Sequence, residues 1–184
     1  MIDVDRMKLG SPPTGFTFVR TGQGPDGEWT IVADPTVPSG RAIEQTSTDR
    51  TSYRFPLAIH DSLSAANLEI ELRFKAVAGK IDQAGGIALR IEDADNYYVA
   101  RANALEDNVR FYKVVNGKRE QLNGVNLKVT PNEWHSLGVH ADGERFAISY
   151  DGITLFSLID STFKEAGGVG LWTKARQRDS LRSD

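Results

Sequence analysis

The sequence predicts an all-β chain, an antiparallel sandwich or barrel, and three observations carry that expectation. Apolar residues alternate with polar ones at period two through several short runs. Gly, Asn and Asp clusters separate those runs at close intervals. No segment sustains the apolar periodicity of an amphipathic helix, the best helical candidate being a turn over residues 161–165. No fixed-period repeat emerges, which argues against a propeller or solenoid.

The elements follow in order. Residues 1–14 are an N-terminal arm whose polar start lacks the basic residues and apolar stretch of a signal peptide. Residues 10–15 and 22–27 are dense in Gly and Pro, so they read as turns. A short strand over 28–32 precedes another turn-rich loop, 34–40. Residues 67–74 alternate strictly, with Leu68, Ile70, Leu72 and Phe74 on one face. Residues 86–91 bury Ile87, Leu89 and Ile91 in the same way, turn at 93–96 and return over 97–105. Strands 109–115 and 119–122 flank Asn116-Gly117, a hairpin signal because both residues tolerate positive φ. Strands 134–140 and 145–150 flank Asp142-Gly143, Asp151-Gly152 leads into 153–158, and 169–173 is the last clear strand. Ile70, Leu72, Phe74, Leu89, Ile91, Tyr98, Leu137, Val139 and Trp172 are expected to point inward.

Composition narrows the function classes. With 184 residues, 40% of them apolar, one domain spanning 1–184 accounts for the chain. Lys and Arg number 22 against 25 Asp and Glu, so no basic excess exists to hold a nucleic-acid backbone. No apolar run approaches the ~20 residues a membrane helix needs. Zero Cys excludes a disulfide framework, a thiolate metal site and a cysteine nucleophile. His60, His135 and His140 have no zinc-type spacing. There is no Gly-x-Ser-x-Gly elbow, and the Gly-rich run 22–27 lacks the strand–helix context of a dinucleotide loop.

Side-chain chemistry then supplies candidates. If the hairpin around 93–96 pairs directly, Arg90, Glu92, Tyr97, Arg101 and Asn103 share one face, opposite Leu89 and Tyr98. Guanidinium forks and aromatic rings suit sugars, so Arg90, Tyr97, Arg101 and Asn103 are the candidate ligand-binding residues. The same face also reads as a solvated surface whose charges pair across strands. Asp93, Asp95 and Asn96 make a compact oxygen-rich turn, the candidate set for one Ca²⁺; ordinary Asx-turn chemistry explains it equally. Glu69 and Glu71 are paired carboxylates on one strand, and also the polar side of an amphipathic one. Glu106 and Asp107 fit turn capping. Trp29, Trp134 and Trp172 sit in strands and read as core anchors. His60 lies in a loop with nothing around it to suggest catalysis.

Several motifs resemble a known family. They are Arg54-Phe55-Pro56-Leu57-Ala58, Gly85-Gly86-Ile87-Ala88-Leu89-Arg90, Asp93-Ala94-Asp95-Asn96-Tyr97-Tyr98, Tyr112-Lys113-Val114, Trp134-His135-Ser136-Leu137 and Gly168-Val169-Gly170-Leu171-Trp172-Thr173-Lys174-Ala175. Together they are similar to the concanavalin A-like, laminin-G-like jelly rolls of bacterial proteins near the three-keto-disaccharide hydrolase domain, over about residues 15–175. The resemblance implies a two-sheet antiparallel jelly-roll sandwich and a periplasmic or secreted setting. It also implies a Ca²⁺ near a sheet rim, which falls on Asp93, Asp95 and Asn96. Retaining glycosidases with this fold carry Glu-x-Asp-x-(x)-Glu on one strand, whereas this chain has Glu69-Ile70-Glu71-Leu72-Arg73, without the third acid. The expected function is therefore a carbohydrate-binding or adhesion-type module with no assigned catalytic residue. The alternative is a glycoside hydrolase or related sugar-processing enzyme using paired carboxylates, Glu69 or Glu71 with a distant one, as acid and base. A structural module binding protein through its sheet is the third reading.

The ending departs from the resemblance. Family members continue with Asp-Ser-Val-Thr-x-Phe-Asp-Asp, whereas residues 176–184 here are polar and divergent. A single inserted base after the Ala175 codon would convert one ending into the other. With little to bury, this tail is expected to be poorly packed and to leave a neighbouring strand edge unpaired.

Overall fold

The computed structural model describes residues 2–77 and 84–174, together with the backbone of 179–181. Its strands are β1 (Phe16–Gly22), β2 (Trp29–Ala33), β3 (Arg41–Gln45), β4 (Arg54–Ala65), β5 (Leu68–Lys75), β6 (Ala84–Asp93) and β7 (Asn96–Asn103). They continue as β8 (Asn108–Val115), β9 (Lys118–Asn126), β10 (His135–Asp142), β11 (Arg145–Tyr150), β12 (Ile153–Ile159), β13 (Gly167–Thr173) and β14 (Asp179–Leu181). No helix occurs among the described residues. None of them therefore forms a helix long and apolar enough to cross a membrane.

Two seven-stranded antiparallel sheets pack face to face. The front sheet runs β1-β4-β13-β6-β7-β8-β9 and the back sheet β12-β11-β10-β5-β14-β3-β2. Period-two burial builds the space between them: Ile87, Leu89, Tyr98, Ala100 and Phe111 of the front sheet meet Leu72, Phe74, Leu137, Val139, Phe146 and Ile148 of the back. Tyr98 stacks on Phe111 with centroids 5.6 Å apart and tilts against Phe146 at 4.8 Å. The Asn116-Gly117 hairpin forms as its sequence predicts, with φ of 49° and 75° at those residues.

A second apolar cluster lies on the outer face of the front sheet. It contains Phe55, Leu57, Ala84, Ala88, Ile91, Tyr97, Val99, Tyr112, Val114 and Trp172. Two expected inward residues, Ile91 and Trp172, belong here instead. The register between β6 and β7 slips between Leu89 and Asp93, so strict alternation ends before Ile91. Trp172 stands beside Gly86 and Leu57, both on the outer side of the sheet.

This face is enclosed because the front sheet curls. Thr21, near the end of β1, donates through Oγ1 to Ala94 O at 2.6 Å and lies 2.6 Å from Tyr97 Oη. Tyr53, just before β4, donates its hydroxyl to Gly117 O at 2.7 Å. Three strands separate β1 from β7 in the sheet, so only a strongly curved sheet brings these groups together.

The tail behaves differently from its sequence expectation where it is described. Asp179 and Ser180 pair with Gln45 and Glu44 of β3, while Ser180 and Leu181 pair with Lys75 and Phe74 of β5. Backbone ladders need donors and acceptors rather than apolar side chains, so a polar segment can still occupy the gap between two strand edges. Residues 175–178 and 182–184, the rest of that ending, lie outside the described residues.

Candidate ligand-binding face

The site is built on the outer face of β7, β8, β9 and β13. In the β7–β8 register Tyr97 faces Val114, Val99 faces Tyr112, and Arg101 faces Arg110. In β9, Arg119 lies opposite Val114 and Gln121 opposite Tyr112. Alternation alone therefore puts Arg101, Arg110, Tyr112, Arg119 and Gln121 on one side of the sheet.

Arg101 is buried, yet its guanidinium is largely satisfied. It donates to Asn108 Oδ1 at 2.9 Å, to Tyr112 Oη at 3.0 Å and to Glu106 Oε2 at 3.0 Å. Its Nε is buried without a hydrogen-bond partner. Burial alone would raise the Glu106 carboxyl; the Arg101 charge and bond, with Asn108 and Lys174, outweigh it and hold the group below its usual value.

Arg119 sits over three aromatic rings, 4.5 Å from the Tyr112 centroid, 4.8 Å from Phe55 and 5.9 Å from Trp172. Among the described residues its guanidinium has no hydrogen-bond or ion-pair partner, and Nη1 is buried. Phe55 and Trp172 stack with centroids 5.3 Å apart and planes at 14°, forming a flat apolar floor. Trp172 Nε1 donates to Tyr97 Oη, and burial pushes the Tyr97 hydroxyl up to about 12. The result is a buried aromatic floor covered by the half-buried Arg119, a surface whose guanidinium donors can bond the oxygens of a sugar.

The sequence candidates fare unequally. Tyr97, Arg101 and Asn103 share the outer face, but Asn103 is fully buried and its Oδ1 accepts from the Leu105 and Glu106 N–H groups. Asn103 therefore shapes the turn that presents Glu106. Arg90 leaves the group altogether. Its φ of 48° falls in the β6 irregularity, and its guanidinium donates to Ala66 O, Phe163 O and Gly143 O over the Phe146 ring. The expectation that all four converge is corrected by that local break in alternation. Tyr112 and Arg119, central to the face, were missed. The Asn116-Gly117 turn held the signal, since pairing 114 with 119 puts Arg119 beside Tyr112.

The Asp93–Asn96 turn is internally bonded. Asp93 Oδ1 accepts from Asp95 N at 2.7 Å and Asn96 Nδ2 at 2.9 Å, while Asn96 Oδ1 accepts from Asn116 N. Among the described residues no group of three or more His, Asp or Glu is arranged to hold a metal ion. Asp93 Oδ1 and Asn96 Oδ1 are thus engaged in bonds that close the turn.

Glu69 and Glu71 are exposed on the back sheet, opposite His140 and Gly138. They line a groove of about 140 Å³ with Ser149 and Thr154, remote in the fold from the aromatic floor. Among the described residues no other carboxylate lines that groove. His60 packs edge-on against Phe16, with Nδ1 accepting from Ser62 N at 3.3 Å. Trp29 and Trp172 are buried as expected. Trp134 is half-exposed beneath Arg73 and Lys75 and donates to Thr36 Oγ1. Asp107 serves a turn, accepting from Val129 N and Lys128 Nζ.

No family model matches the sequence. A levanase from Bacillus subtilis (strain 168) is 29% identical over 116 residues, a stretch covering 62% of this chain and 17% of that protein. The chain thus matches only a small part of that relative's length. Among solved structures, a carbohydrate-binding module, CBM66 from Bacillus subtilis, superposes with a TM-score of 0.70 at 21% identity, covering 90% of this chain and 92% of the module. A glycoside hydrolase family 16 endo-glucanase from Bacteroides ovatus gives 0.63 at 9% identity, covering 98% and 86%. A Bacillus licheniformis β-glucanase gives 0.59 at 12%, covering 95% and 92%. The two sheets and these likenesses together identify the fold as an antiparallel two-sheet jelly-roll sandwich.

Proposed function

We propose that this chain is a carbohydrate-binding module that takes its ligand on the outer face of the front sheet. The observation carrying the reading is the Arg119 guanidinium, held over Phe55, Tyr112 and Trp172 with its hydrogen-bond donors unpartnered. Arg101 and Glu106 add fixed polar groups beside it. The levanase relative and the CBM66 likeness support sugar as the ligand class. A periplasmic or secreted setting fits the same reading. A glycan array with soluble protein tests the reading. Binding to a defined glycan set, weakened by Arg101→Ala, is expected; no binding to any glycan contradicts it.

The second reading is a glycoside hydrolase, favoured by the paired Glu69 and Glu71 in the back-sheet groove and by the endo-glucanase likeness. Both acids stand on one strand and, among the described residues, no carboxylate faces them across the groove, whereas glycosidases set their two carboxyls on either side of the bond. Binding without cleavage is therefore the stronger reading. Release of reducing ends from a bound glycan, lost in Glu71→Gln, would reverse that order.

A further inference from the structure

We infer that this face recognises a saccharide bearing an anionic group, carboxylate or sulfate, and that Arg119 is the residue that meets the charge; the inference rests on the carbohydrate reading above. Three arginines share the face: Arg101, Arg110 and Arg119. Arg101 and Arg110 stand directly opposite each other on β7 and β8, a pairing that repels unless an anion lies nearby. Of the three, Glu106 pairs with Arg101. Among the described residues Arg110 donates only to neutral oxygens, Val109 O and Asn126 Oδ1. Arg119 has no counter-ion among the described residues.

Two positive charges thus remain unmatched on a face that also carries two buried donor nitrogens without partners, Arg101 Nε and Arg119 Nη1. Both guanidiniums lie against the same Tyr112 ring, at 5.6 and 4.5 Å from its centroid, so the unpartnered donors stand beside one residue. Neutral hydroxyls could accept hydrogen bonds from the half-buried Arg119 guanidinium but would leave the excess charge uncompensated. A carboxylate or sulfate does both, and the planar fork of arginine matches its paired oxygens. Stacking against aromatic rings preorganises Arg119, which lowers the entropy lost when it binds.

Calorimetric titration of the whole chain with matched ligand pairs tests the inference. The pairs are oligogalacturonate with its methyl ester, and a sulfated carrageenan oligosaccharide with its desulfated form. The charged member of at least one pair should bind about tenfold more tightly or better, the scale of one charge-assisted hydrogen bond. Added salt should shrink that difference. Arg119→Gln should remove it with little change in melting temperature, and Arg119→Lys should keep part of it. Equal affinity within both pairs overturns the inference. Binding to neutral glycans only, seen on the array, also overturns it and leaves the carbohydrate reading standing. Binding to no sugar of either kind removes both.

Discussion

Arg90 and Arg101 come from one hairpin, and both are buried, but their partners assign them opposite roles. Arg90 ties three backbone carbonyls from Ala66, Gly143 and Phe163, so it fastens the β4–β5 and β10–β11 turns to the front sheet. Arg90→Met would leave those carbonyls without their cation and should cost about 3 kcal/mol in urea unfolding, with glycan binding unchanged. Arg101→Ala should instead weaken binding by roughly 1–3 kcal/mol at the proposed face. Alternation placed Tyr97 and Arg101 together from sequence alone. It failed for Arg90 because a positive φ inside a bulge carries no apolar signature in the residue pattern. Asp160 provides a pH test. Burial alone would raise its carboxyl, but bonds from Thr162 and Tyr98 and the Lys113 charge hold it below the ordinary value. A depressed folded pKa stabilises above the unfolded pKa, so this contribution should vanish as acidification passes through the carboxylate range. Urea midpoints measured from neutral pH down to about pH 3 should fall less steeply in Asp160→Asn than in the parent.

Among the elements, β14 joins two strands that otherwise do not pair. Its backbone bridges β3 and β5, so the back sheet is continuous only through it. Ending the chain after Lys174 should lower the melting temperature and speed amide exchange in β3 and β5; unchanged protection there would show that β14 contributes nothing. The strand was illegible in the sequence because a three-residue polar segment gains its place from neighbouring edges rather than its own periodicity. The first half of the chain was obscured for a related reason. β4 runs Arg54–Ala65, with five buried residues at its start giving way to exposed ones. A strand covered on both faces loses its alternation. By contrast β5, covered on one face, was legible throughout, and so was the β8–β9 hairpin.

At the scale of the molecule, curvature turns an ordinary sheet face into a candidate site. The sequence showed which residues lie on each side of β7 and β8, since period two follows from the pleat. It did not show that β1 and β4 curl round to the hairpin turns, because that depends on contacts such as Thr21 with Ala94 and Tyr53 with Gly117, far apart in the chain. With that curl Trp172 and Phe55 are buried beneath Arg119, whose guanidinium they hold at the surface of the face. Far-UV circular dichroism should accordingly show strand and no helix. The most direct measurement of the central claim is an amide chemical-shift titration with the glycan that binds best on the array. Shifts are predicted to concentrate at Arg101, Glu106, Tyr112, Arg119 and Trp172. Shifts confined to Glu69, Glu71, His140 and Ser149 on the back sheet would contradict it.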